Sequence, residues 1–303
     1  MPSLRLLYRD ADRAPYLIAL RTAARARGLE LELVRHQQVG KEDWGEALKR
    51  GDVDAIAENY WALVRYRAAG DPFVTVASAA HWLREVLVAR PGIDSIADLA
   101  GKRLAVRSTG PQQWFPGVFL AQAGLSATLV TIPEAETGRM GLWKAVASGD
   151  CDACFVSKLY ADPPLAAGLH EIPFAPFAFE GGHIIPTTTE KFIAEHPEAV
   201  QALVDAMFDT CERIVKQEEY MGECVRLGID ELRENLALSS EPEIAQAIRR
   251  LREEVGPVPI PTLRGIQNAL EVIVARFPDL AGFNPLLMWD LSFARKALGG
   301  NRL

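Results

Sequence analysis

The first half of this chain is written twice, and that repeat limits what the chain can fold into more than any other feature. LRLLYR, from Leu4 to Arg9, returns as KRLAVR from Lys102 to Arg107, so Arg5 falls over Arg103 and Arg9 over Arg107 at an offset of 98. RTAARARGLELELV from Arg21 returns as FLAQAGLSATLV from Phe119, and ALKRGDVDA from Ala47 as AVASGDCDA from Ala145. Each copy reads strand, helix, strand, helix, strand, with Gly28, Gly51, Gly124 and Gly149 as helix stops. Parallel strands joined through helices make an α/β unit, so the repeat predicts two such units. A length of 303 residues also exceeds one ordinary hydrophobic core.

In open α/β sheets, ligands sit outside the carboxyl ends of the strands, where helix N-termini present free N–H groups. The loops at those ends are therefore where function is expected. In the first copy they are RDADRAPY from Arg9, HQQVG from His36 and ENYW from Glu58. In the second they are RSTGPQQ from Arg107, PEAET from Pro133 and SKLY from Ser157. Arg9 and Arg107 occupy equivalent strand ends. Ser108, Thr109 and Gly110 lead to Pro111 and Gln112, a run that gathers hydroxyl and N–H donors where an anion is stabilised. The same run also serves as a plain helix cap.

Charge excludes one class of partner. A net charge of −7 without clustered Lys and Arg argues against a nucleic-acid surface. No run of about 18 uncharged apolar residues predicts a membrane span. MPSLRLL at the start enters a strand pattern directly, without the features of a secretory leader. As it stands the sequence reads as cytoplasmic; a mature chain whose leader had been removed would instead be periplasmic or extracellular.

Other chemistries find little support. There is no phosphate-binding P-loop, nucleophile elbow, H-E-x-x-H helix or dinucleotide fingerprint, so no cofactor is expected. Cys151 and Cys154 form a C-x-x-C, but neither a second pair nor histidines at ligand spacing accompany them. They read as two small buried residues, and no metal is expected.

Against this background the chain resembles the type II periplasmic-binding-protein fold, in the NMT1/THI5-like group of ABC-transporter solute-binding proteins for sulfonates, taurine, nitrate and thiamine precursors. The resemblance rests on ALKRGDVDAIA (Ala47 to Ala57), IDSIADLAGKRLAV (Ile93 to Val106), Phe115 to Leu125 and FIAEHPEAV (Phe192 to Val200). It implies a two-lobed α/β fold, each lobe a mostly parallel sheet flanked by helices, with a ligand cleft between the lobes. Residues 1–88 and 183–303 would form lobe I with a helical C-terminal tail, and 89–182 lobe II. The implied partners are a small organic anion and an ABC-transporter permease, with the protein a monomer or dimer. The fold also hosts enzymes, including a sulfinate desulfinase and a dihydroxyphthalate decarboxylase. The desulfinase pattern has a cysteine in the first strand-end loop, where this chain has Ala11 and Asp12.

The expected anion site comprises Arg9, Arg107, Ser108, Thr109, Gly110 and Gln112, with Asn59, Tyr60, Trp82, Tyr160 and His183 along its walls. His81 can donate to a ligand oxygen, act as an acid or base, or hold the hinge backbone. Glu58 can bind a ligand amine, accept a proton, or pair with Arg9 or Arg107. Arg13 reads as a partly solvated loop charge and His36 as loop surface. The expected function is binding of a carboxylate or sulfonate. The alternative is a decarboxylase-like lyase acting on an aromatic carboxylate, with His81 and Glu58 as its catalytic pair.

Overall fold

The fold is described from a computed structural model, covering residues 1–9, 13–38, 44–58, 61–108, 113–133, 140–173, 178–236, 238 and 240–299. The chain divides into two compact units, one made of Met1–Trp82, Glu180–Leu270 and Leu280–Leu303, the other of Leu83–Phe179 and Glu271–Asp279.

The first unit opens with β1 (Ser3–Tyr8), α1 (Ala14–Ala26), β2 (Glu30–Arg35), α2 (Trp44–Arg50), β3 (Ala55–Glu58), α3 (Trp61–Ala68) and β4 (Phe73–Thr75). The chain leaves this unit along β5 (Ala80–Ala89). The second unit continues with β6 (Arg103–Arg107), α4 (Phe115–Gln122), β7 (Thr128–Ile132), α5 (Lys144–Ala147), β8 (Ala153–Ser157), α6 (Asp162–Ala166) and β9 (His170–Ile172). Return is along β10 (Ala178–His183), followed by β11 (Ile185–Thr189). The helical tail is α7 (Glu190–Glu195), α8 (Pro197–Lys216), α9 (Glu218–Leu236), α10 (Glu241–Leu251), α11 (Leu263–Arg276) and α12 (Ser292–Ala297).

The first sheet has the order β2-β1-β3-β11-β4, with β1 parallel to β2 and β3, and β11 antiparallel to β3 and β4. In the second the order is β10-β5-β8-β6-β7, with β9 also on β5; β6 runs parallel to β7 and β8 while β5 is antiparallel to β8. Each sheet is thus a three-strand parallel core, one per repeat, completed by antiparallel strands that carry the chain between units or home again.

The repeat is exact at the amino ends of these strands. Leu6 lies opposite Ala55 in one unit and Leu104 opposite Ala153 in the other. The Arg5 amide donates to Asp54 Oδ2 at 2.8 Å and its Nη2 to Oδ1 at 2.7 Å. Arg103 repeats this with Asp152, at 2.7 Å and 3.3 Å. Both guanidinium groups also donate to the carbonyl of the preceding helix stop, Gly51 or Gly149, at 2.8 Å. The clasp ties the first strand of each unit to the third.

The core of the first unit forms around α1, whose Tyr16, Leu17 and Leu20 are fully buried, and which packs on α8 and α9. Gly228, inside α9, lies so close to Ile18 that a Cβ there would meet its side chain at 2.7 Å. Absence of a side chain at 228 is therefore what lets α9 close on α1. In the second unit Val86, Val88, Ala105, Ile132, Val146 and Val156 pack with Cys151 and Cys154, both buried free thiols. Burial pushes the Cys154 thiol far up, so it is an inert core residue.

The unit borders fall at 82/83 and 179/180, against the expected 88/89 and 182/183. Each lies inside a continuous strand, β5 or β10. Glu271–Asp279, expected with the first lobe, belongs to the second unit. Phe277 from this segment packs edge-on against Trp114, ring centroids 5.9 Å apart.

Candidate functional site

In the first unit, three parallel strands bring Arg9, His36 and Glu58 to their carboxyl ends. Glu58 is 2% exposed and ends β3. Its Oε1 accepts the backbone N–H of Arg9 at 2.8 Å, and its Oε2 lies 3.5 Å from Nε of Arg13. Arg13 is 1% exposed at the start of α1. The expectation of a partly solvated Arg13 is thus replaced by a buried ion pair with Glu58, both side chains being 2% exposed. The Arg9 guanidinium lies over the ring of Trp44, 4.9 Å from its centroid. His36 meets the same indole edge-on at 5.8 Å. A cation stacked on an indole face is held in orientation as well as attracted, which suits planar recognition of an oxyanion.

Arg107 and Ser108 are half-buried in the second unit, at the end of β6. Arg107 lies opposite Ile132 of β7. Its positive charge favours the ionised form of Cys154, although burial dominates at that thiol. Tyr160 is buried in the short turn that follows β8. Thr109, Gly110 and Gln112 lie outside the described residues, as do Asn59 and Tyr60. His183 ends β10, but its side chain is likewise outside them.

His81 and Trp82 are half-buried in β5, at the last positions of the first unit before the chain crosses. The His81 backbone N–H donates to the carbonyl of Glu254 at 2.9 Å. Its imidazole is packed against Gly256, where a Cβ would come within 2.2 Å of Cε1. Burial lowers its pKa, opposed by the carbonyls of Ile260 and Val258 and by the Glu180 carboxylate. Nε2 of His81 is buried without a hydrogen-bond partner. His81 also lines a small cavity of this unit with Ser78, Ile185, Thr262, Ile266 and Trp289.

The structure thus joins Arg9 to Glu58 through a hydrogen bond, and surrounds His81 with backbone of the 254–260 segment and with Glu180. Trp44 and Arg13 complete the first strand-end cluster; the sequence reading passed Trp44 over and took Arg13 for a solvated charge. A tryptophan opening the helix after the second strand end was the available signal for Trp44. Among the described residues, no three His, Cys, Asp or Glu side chains are grouped to hold a metal ion, and no helix is long and apolar enough to cross a membrane.

Two α/β units with a duplicated parallel core, linked by β5 and β10, define the periplasmic-binding-protein class of fold. The chain belongs to the NMT1/THI5-like family, which matches residues 25–219. Similar solved structures include the ligand-binding component of an ABC-type import system from Staphylococcus aureus, with a TM-score of 0.73, 11% identity and coverage of 98% of this chain and 99% of that one. The periplasmic aliphatic sulphonate-binding protein SsuA from Escherichia coli is also similar, with a TM-score of 0.67, 16% identity and coverage of 94% and 95%. So is the desulfurization enzyme DSZB, with a TM-score of 0.65, 18% identity and full coverage of both chains (100% each). No curated protein matches the chain.

Proposed function

We propose that this chain is a solute-binding protein of the ABC-import type whose ligand is a small organic anion, a sulfonate or carboxylate. The observation that carries this reading is the pair of equivalent strand-end arginines, Arg9 and Arg107, in a chain of the NMT1/THI5-like family. Similar structures named for ABC import and for sulphonate binding support it. Arg107 and Ser108 offer donors at the end of β6, and Arg9 offers a guanidinium stacked on Trp44 at the equivalent end of β1. An importer's binding protein would work with a transporter permease and leave the ligand unchanged.

The lyase alternative needs a proton donor and acceptor at the reacting carbon, and Glu58 and His81 were its candidates. Glu58 has one oxygen on the Arg9 amide and the other facing Arg13. The carboxylate acting electrostatically on His81 is Glu180. Both arrangements favour binding over turnover.

Native mass spectrometry of the protein purified without added ligand, followed by incubation of any co-purified anion with fresh protein, tests the proposal. An anion recovered unchanged supports it, and consumption of that anion overturns it in favour of an enzyme. Replacing Arg107 by alanine is expected to weaken binding of the recovered anion about tenfold or more, as loss of a charge-assisted pair would. Unchanged affinity with an intact fold removes Arg107 from the site.

A further inference from the structure

We propose that Arg13 and Glu58 are positioning residues that fix Arg9 for anion binding, a device built into the first repeat and absent from the second. The inference rests on the anion-binding reading above and extends it to two residues that do not themselves touch the ligand.

Two of the contacts of Glu58 differ in kind. Through Oε1 it accepts the Arg9 backbone N–H, which fixes the chain where β1 gives way to the loop; through Oε2 it faces Arg13, at the entry to α1. Its own backbone is set by pairing with Ile185 of β11. One carboxylate therefore ties the third strand to both ends of the 9–13 loop. Both charged side chains are almost wholly buried, at 2% exposure each. A buried pair of this kind stabilises little in itself, since well-packed apolar residues serve as well, but removing one partner leaves the other charge uncompensated.

The second repeat is the internal control. It keeps the Arg–Asp clasp at the opposite end of the sheet, Arg5–Asp54 becoming Arg103–Asp152. At the same offset of 98, the positions of Arg13 and Glu58 are held by Pro111 and Val156. Both partners are missing together. A pair that served the common fold would be retained in both copies, as the clasp is. One present in a single copy serves what that copy alone does, and what it holds is Arg9, whose guanidinium stacks on Trp44.

The test uses the full-length chain, titrated calorimetrically with ethanesulfonate and with benzoate, alongside urea unfolding and hydrogen exchange at the Arg9 amide. Arg13→Met and Glu58→Met are each expected to lower the unfolding midpoint, and the double variant Arg13→Met/Glu58→Met to regain most of the loss. Anion affinity of the double variant is expected to stay at least tenfold below wild type, and its Arg9 amide to exchange at least tenfold faster. A double variant that is stable and binds as wild type would make the pair purely structural and overturn the proposal. So would a double variant whose destabilisation is the sum of the two singles. If wild type binds neither anion, the anion reading falls by itself; the Arg9 exchange rate then decides the positioning claim, and an unchanged rate overturns it.

Discussion

At the scale of single residues, burial sets the fold against protonation of His81. Burial lowers its pKa from the ordinary 6.5, while the groups facing it, the carbonyls of Val258 and Ile260 and the Glu180 carboxylate, are all acceptors. Glu180 is itself bonded by Thr262 Oγ1, with Arg264 Nε 3.9 Å away. The folded state thus binds fewer protons at His81 than the unfolded chain does, and stability rises with pH across that interval. The contribution is complete above the unfolded pKa near 6.5 and declines as pH falls from there until the folded pKa is passed. His81→Gln is expected to flatten this part of the stability profile, read as the difference between variant and wild type in urea midpoints from pH 7.5 to 5. Gly256 gives a second expectation. Its substitution by alanine drives a Cβ to 2.2 Å from Cε1 of His81, so Gly256→Ala should cost about 1–3 kcal/mol in urea unfolding, and His81→Ala in the same chain should recover part of it. Neither contact was legible in the sequence, because residues 81 and 256 meet only through the fold. The Arg13–Glu58 pair hid for a related reason: an arginine in a charged loop looks solvated until the strand ends enclose it.

At the scale of elements, legibility was much higher. Strand and helix order through the repeat followed from apolar spacing and glycine stops, because parallel strands buried on both faces leave a strong pattern. The helical nature of the C-terminal tail was also visible; in the structure it breaks at His196-Pro197 and at the prolines after Val255. The antiparallel strands β10 and β11 were not, since FEGGHIIP reads as a glycine-rich connection. The two strands meet at Ile184, a buried residue held at φ 57°, a conformation usually left to glycine. The duplicated clasp yields a matched pair of expectations. Asp152, with a side chain 5% exposed, also receives Arg90 at 2.8 Å; Asp54 is 14% exposed and serves Arg5. Asp152→Ala leaves the Arg103 amide without its acceptor and should destabilise by about 1–3 kcal/mol. Asp54→Ala should destabilise less, and equal losses in urea unfolding would show that burial does not separate the two copies.

At the scale of the whole molecule, the repeat announced two α/β units but not how the C-terminal segment is shared between them. Helix α11 begins in the first unit and ends in the second, its division falling at Leu270. Beyond it, Asp290 donates its backbone N–H to Thr75 at 3.0 Å, and Gln201 donates to the carbonyl of Phe293 at 3.2 Å, so the last residues return to the first unit. A chain ended after Leu270 therefore lacks the Phe277 contact with Trp114 as well as these closures. It is expected to show a lowered melting temperature for both units by differential scanning calorimetry, not for one alone.

This sharing has a consequence for synthesis. Domains of a growing chain commonly fold as they emerge, the N-terminal one first. Here the first unit waits for Asp290 and Phe293, and the second, though bracketed within it, waits for Phe277. Both finish within the same short stretch of translation, so a product interrupted before Phe277 contains neither unit complete.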